Sequence, residues 1–395
     1  MVQWRDEVQL MSRLIRFLSG RGVELFGLGV FAVAALVAFW PALPLWMALA
    51  SPDSGPFYVH ASATGQLERL LTGAPFIPQV FYWLLLPPLA AHELTYVIDS
   101  LILALAGVYY LRGRGVSPLA AWFGGLALGL CGYTFTLFGP GHRGYYHMFS
   151  CAAWSFGLLA RCFGSRRLFH FAVLGLVFAW GAACQPDVLV LVGAVAACYA
   201  LWLTFLPGAG GGGRLAQAGR RVVAVWPRFA VSLAFLFLAG FGSLRSAVTA
   251  TMASRDEQIR NVSEAERRAA GGPAAASPGQ ARKERWNFAT GWSLPPEDVL
   301  EFVAPGVFGN DSMQMPYPYW GRLGRPSDDV FQKGRMMPNY RGHTVYLGLV
   351  TVLFALLGAA SWLMAVRRRD EAPPDFAKVG ADIPFWCGVW LVCLL

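Results

Sequence analysis

Charge is the scarcest ingredient of this chain. Asp, Glu, Lys and Arg make up 14% of its 395 residues, where soluble domains carry roughly a quarter. That shortfall excludes an ordinary water-soluble globule. Strict polar–apolar alternation is missing as well, which excludes a transmembrane barrel. The apolar runs are continuous, several reach the roughly 20 residues that cross a bilayer as helix, and lipid leaves helix as the way to satisfy the backbone.

Cysteine pairs and nucleotide motifs are absent too. Cys131, Cys151, Cys162, Cys184, Cys198, Cys387 and Cys393 all fall in apolar runs with no Cys-x-x-Cys spacing. They read as small buried hydrophobes, not as a disulfide frame or a metal site. No P-loop, Rossmann glycine fingerprint, His-Glu-x-x-His or Gly-x-Ser-x-Gly occurs, and the Gly210 to Gly213 run has no strand–helix unit around it. The first apolar run is too long for a cleavable signal peptide and lacks a small-residue cleavage site.

What remains is 56% hydrophobic, with a net charge of +9 and a mean hydropathy of +0.46. Much of the positive charge sits in short hydrophilic connections, where Lys and Arg set topology and do not mark nucleic-acid binding. The expectation is an all-α polytopic integral membrane protein with about nine spans and one large outer loop.

Residues 1–22 place Trp4, Val8, Met11, Ile15 and Leu18 at helical spacing between Arg5, Arg13, Arg16 and Arg21. They read as an amphipathic helix on the cytoplasmic face, or as a basic tail; either puts the N-terminus inside. Residues 23–247 hold seven spans. The first, 23–49, leads to an outer loop over 50–93. Within it, 76–91 is apolar but short and broken by Pro78, Pro87 and Pro88, the pattern of an interfacial or re-entrant segment. The second span, 94–111, ends at Arg112-Gly-Arg114. The third, 118–138, leads to an outer turn from Gly139 to His147, and the fourth returns to Arg161, Arg166 and Arg167.

Spans 168–184 and 188–206 hinge outside at Gln185-Pro186-Asp187. A Gly-rich cytoplasmic connection over 207–228 then leads to the seventh span, 229–247. Residues 248–344 form the outer region: 253–286 has a mobile, Ala/Gly/Pro-rich composition, and 287–344, rich in Trp, Tyr, Phe and Pro, folds against the membrane domain. Residues 345–395 supply an eighth span ending at Arg367-Arg368-Arg369 and the start of a ninth near Ile383. Leu395 falls about a dozen residues into that run, too few to span, so the chain is expected to be part of a longer protein.

Several residues invite a chemical role beside a plainer one. Asp53, in Pro52-Asp53-Ser54-Gly55 just after the first span, is a working carboxylate or the Asp of an Asx-turn. His60 is a phosphate partner or a loop residue. His142, Arg143 and His147, flanked by Tyr145 and Tyr146, form a phosphate-binding turn or an interfacial belt. Asp99 lies deep enough in the second span to default to a functional role, with an ion pair to Arg143 as the structural alternative. Gln185 and Asp187 touch a substrate or cap the helix that follows. Arg245 and Arg255 bind phosphate or snorkel. Glu297 and Asp298, after Pro295-Pro296, read as first-turn helix acids.

Residues 287–360 contain Gly291-Trp-Ser-Leu-Pro-Pro-Glu297-Asp298-Val-Leu-Glu-Phe-Val-Ala-Pro305-Gly306-Val-Phe308-Gly309, then Tyr317-Pro-Tyr-Trp320-Gly321 and Tyr346-Leu-Gly348-Leu. With Gly141-His142 and Gln185, they resemble the YfhO-like bacterial membrane proteins, which are related to the C-type glycosyltransferases (the GT-C superfamily). The chain departs from that family in having Pro52-Asp53 where a Gly-Asp pair is usual. Its Gly73 to Pro78 stretch is a shortened counterpart of a longer Trp-Asn-Pro-containing segment, and family members are typically longer.

The resemblance implies a GT-C-like helical bundle in the bacterial cytoplasmic membrane. It also implies transfer of a sugar from a polyprenyl-phosphate donor to an extracytoplasmic acceptor: a cell-envelope polymer, a lipid or a protein. An acceptor hydroxyl must lose its proton as it attacks the anomeric carbon, so Asp53 takes the place of the base. The departing lipid phosphate needs cations, which His142, Arg143, His147 and Arg245 supply; His60, Asp99, Gln185 and Asp187 are the further substrate contacts. No cofactor is specified, and a divalent metal beside the phosphate is compatible with this chemistry. The competing expectation is a non-enzymatic transporter or envelope-assembly scaffold.

Overall fold

The computed structural model describes residues 21–39, 85–132, 134, 143–206, 213–245, 249, 296–302, 304, 307, 349–367 and 380–394. Among these, every regular element is helical. The chain divides into two compact units, Met1–Leu244 with Phe354–Leu395, and Arg245–Leu353.

The larger unit is a bundle of apolar helices. Helix α1 spans Arg21–Ala38, α2 Pro88–Gly113, α3 Pro118–Gly129, α4 Arg143–Ser165, α5 Leu168–Cys184 and α6 Pro186–Phe205. A short helix, α7 (Arg214–Val225), passes through a 3-10 turn at Trp226–Arg228 into α8 over 229–245. Leu349–Arg367 forms α9 and Ile383–Leu394 forms α10.

Proline starts three of these helices. Pro88, Pro118 and Pro186 each sit in the first turn, where the missing N–H costs nothing and φ is already helical. Pro87-Pro88, expected to break a re-entrant segment, therefore opens α2, and residues 88–91 belong to its first turn. The 207–228 connection, expected as a linker, contains α7.

Side-chain contacts fix the direction of each helix. Val23 of α1 packs with Val108 and Trp122, while Phe31, Ala35 and Phe39 pack with Tyr96, Leu103 and Tyr146. Trp154 Nε1 of α4 donates to the Ile102 carbonyl of α2 at 3.2 Å, so α2 and α4 run parallel with the antiparallel α3 beside α2. At the α2–α3 contact, a Cβ on Gly125 would lie 2.5 Å from the Ala104 carbonyl and one on Gly129 2.7 Å from that of Ser100. Only glycine permits this approach, the small-xxx-small device of helices that pack without a hydrophobic driving force. Ser232 Oγ donates to the Phe171 carbonyl at 2.8 Å and Gly240 faces Ala179, which sets α8 parallel to α5.

The bundle consequently has two chemically different ends. Helices α2, α4 and α6 finish at an arginine-bearing end. Helices α1, α3, α5 and α8 finish at the opposite end, which holds His147, Cys184 and Gln185.

Outward faces are apolar. Val190 and Leu191 of α6, and Leu233, Phe237, Leu238 and Phe241 of α8, are exposed. Among the described residues, the helices within Leu94–Gly113, Pro186–Phe205 and Arg214–Arg245 are long and apolar enough to cross a membrane. The six described cysteines are free; Cys131, Cys151 and Cys162 are buried, whereas Cys198 and Cys387 are exposed. In the second unit the expected helix after Pro295 is a 3-10 helix, Pro296–Phe302.

Candidate functional site

Helix α2 brings a carboxylate into the apolar bundle at Asp99, which is 2% exposed. Its Oδ2 lies 2.7 Å from Nε2 of His147 on α4. An isolated charge would be expelled from this setting, so the pair is a condition of burial. The imidazole is held from its other side as well: Nδ1 is 3.8 Å from Cys184 Sγ at the end of α5, and the Trp180 ring stands 6.0 Å away. Three helices thus fix one ring.

The α5–α6 hinge closes over the same place. Gln185 adopts φ −149°, ψ 84°, outside the helical region that a following proline disfavours. The hinge packs closely on the first turn of α4: a Cβ on Gly144 would lie 3.2 Å from the Cys184 carbonyl oxygen and 2.6 Å from Gln185 Nε2.

Sequence-nominated residues distribute as follows. Asp99, His147 and Gln185 gather at one end of the bundle. His147, read as part of an outer turn, is inside α4, because that helix begins at Arg143; Tyr146 beside it is fully buried and Tyr145 is exposed. Asp99 finds its partner in His147. Asp187 was a candidate cap, but Gln185 occupies the N-cap and makes no side-chain cap bond, while Asp187 stands in the first turn of α6, where a carboxylate favours the helix dipole. Arg143 opens α4. Arg245 is exposed at the end of α8, its carbonyl accepting from Thr249 Oγ1 at 3.0 Å. Asp53, His60, His142 and Arg255 lie outside the described residues. Among the described residues, no three His, Cys, Asp or Glu side chains are arranged to hold a metal ion.

A second polar hub, at the arginine-bearing end, escaped the sequence reading. Asp382, 2% exposed, receives Arg114 through Nη2 at 2.9 Å and Nε at 2.5 Å. The hydroxyls of Tyr110 and Tyr199 donate to its Oδ2, both at 2.9 Å. Trp386 Nε1 in turn donates to Tyr110 Oη at 2.8 Å. Arg114 had been assigned only to topology. Its partner lies 268 residues away, so no local spacing connects the two. The sole available signal was a carboxylate immediately before an apolar run.

These features define a class: among the described residues, an all-helical protein with helices long and apolar enough to cross a membrane and a buried acid–imidazole pair. No protein-family profile, curated protein or solved structure matches the chain.

Proposed function

We infer that the chain is a membrane-embedded glycosyltransferase of the GT-C kind, moving a sugar from a polyprenyl-phosphate carrier to an acceptor on the outer side of a bacterial cytoplasmic membrane. The observation that carries this reading is the gathering of Asp99, His147 and Gln185 at the end of the bundle opposite the arginines. An ionisable pair inside apolar helices is costly and marks a working site by default. Helix α1, which precedes Asp53 in the chain, finishes at that same end.

In this reading Asp53 is the base that takes the acceptor proton, and His142 with Arg143 faces the departing phosphate. No acid stands in the first turn of α4, so its positive dipole end adds to theirs. His147 takes a different part from the one its sequence position suggested. Bound to Asp99, it anchors the turn that carries Arg143, one helical turn earlier, and acts as a positioning residue.

The reading is tested with a labelled polyprenyl-phosphate sugar and membranes containing the full chain. Asp53→Asn is expected to abolish transfer while insertion and abundance stay unchanged; near-wild-type transfer by that variant removes the centre of the proposal. Arg143→Ala is expected to weaken apparent donor affinity, and an unchanged affinity counts against the phosphate role. One observation favours a second reading. A buried Asp–His pair is also what a proton-coupled transporter carries, and pH-driven solute uptake without sugar transfer would select it.

A further inference from the structure

We propose that the arginine-bearing end of the bundle, formed by the α4–α5 turn and helix α7, is a docking surface for the phosphate headgroups of anionic phospholipids. This lies away from the Asp99–His147 end and is independent of the glycosyltransferase reading, needing only that the bundle crosses a membrane.

Helix α7 is fixed in place by one face. Ala218 and Val225 are buried, and Arg221 turns inward, its Nη1 donating to the carbonyls of Leu203 at 2.9 Å and Thr204 at 3.1 Å, and also to that of Leu206. Those are the orphan carbonyls at the end of α6, the usual partners of a cation at a helix C-terminus. Trp226 Nε1 adds a bond to Thr204 Oγ1 at 3.2 Å.

The rest of α7 is left outward and has two characters. Leu215 and Val223 are 81% and 77% exposed, with Val222 beside them. On the 100° helical wheel Leu215 and Val222 fall together beside the buried face, and exposed Arg220 lies about 140° round from Leu215. Such a helix seats its apolar stripe at the boundary between acyl chains and headgroups. Length agrees: α8 over 229–245 reaches about 26 Å at 1.5 Å per residue, most of the roughly 30 Å hydrocarbon core, which leaves α7 before it at the headgroup level.

Charge points to the occupant. Arg228 Nη1 donates to the Arg166 carbonyl at 2.6 Å, tying the α7–α8 turn to the α4–α5 turn. Arg166 and Arg167 there are exposed, as are Arg112, Arg214 and Arg220. The stretch 213–245 has no acidic residue. Of the described carboxylates at this end, Glu24 accepts from Trp122 Nε1 and Asp382 holds Arg114. Exposed Leu168 and Phe169 adjoin the two arginines. Guanidinium groups above an apolar rim complement an anionic headgroup above its acyl chains.

The test uses the full chain purified in dodecyl maltoside, with lipid binding read by native mass spectrometry. Phosphatidylglycerol is expected to bind in preference to phosphatidylcholine and to weaken as salt rises. Each surface arginine contributes about fivefold in affinity, so Arg167→Gln with Arg220→Gln is expected to weaken phosphatidylglycerol binding roughly 30-fold. Both side chains are exposed, and the paired Lys substitutions, which keep the charge, control for folding by binding as wild type. Equal binding of phosphatidylcholine, an unchanged Gln variant, or failure of the Lys variant to bind overturns the proposal. So does displacement of phosphatidylglycerol by an equal concentration of inorganic phosphate, which would mark a site for soluble anions.

Discussion

Among the described residues, each end of the bundle buries one carboxylate, and the partners differ in kind. Asp382 faces a guanidinium, which is charged at any accessible pH, and two tyrosine hydroxyls. Asp99 faces an imidazole, whose charge depends on holding a proton. The first arrangement is a staple: it joins α2, α6 and the residue preceding α10, and Trp386 seals it. The second sets the imidazole against Asp99, with Cys184, Trp180 and the Gln185 hinge around it. The partner's chemistry, a fixed charge at one end and an ionisable ring at the other, is what distinguishes the two acids.

The largest expected effect breaks the staple. Asp382→Ala leaves Arg114 buried without its counter-charge and removes the acceptor of Tyr110 and Tyr199; thermal unfolding in detergent should show a loss of about 3–5 kcal/mol. Replacing Arg114 and Asp382 together by Leu should recover most of that, because the uncompensated charge has gone. If the double variant also keeps its activity, the hub is structural throughout.

The same cycle at the other end sharpens the contrast. His147→Ala is expected to cost about 3 kcal/mol by stranding the Asp99 carboxylate. Asp99→Leu with His147→Leu should restore stability in the same unfolding measurement while the proposed sugar transfer stays impaired. Recovery of both properties would reduce this pair to a second staple.

A smaller effect probes the frame that the two ends share. Gly125→Leu forces α3 off α2 between them, since a side chain there meets the Ala104 carbonyl, and overpacking of this kind costs about 1–3 kcal/mol. Smallest is Glu24→Gln, which keeps an acceptor for Trp122 Nε1 and should shift unfolding by less than about 1 kcal/mol.

Helix class and several boundaries were legible along the chain. Continuous apolar runs marked α5 and α6 where they stand and the start of α3 at Pro118, but α3 ends at Gly129, short of the 138 expected of a span. Pro87-Pro88 misled because a proline pair breaks a helix from within but begins one from its first turn, and sequence alone does not say which side is helical. Helix α7 was hidden by its glycines: Gly210 to Gly213 reads as linker, and Gly213 is the N-cap. His147 reads as part of an outer turn but lies inside α4, since the helix begins four residues before it.

The sequence by itself determined that the chain is helical and apolar, that its arginines cluster in the connections between apolar runs, and that a few acids and histidines interrupt those runs. Those properties come from composition and from spacing over a turn or two, where neighbours along the chain are neighbours in space. Tertiary structure alone decided the partnerships. Asp99 meets His147 across 48 residues and Asp382 meets Arg114 across 268. Burial makes an unpaired charge so costly that packing, not sequence proximity, selects which one lies opposite.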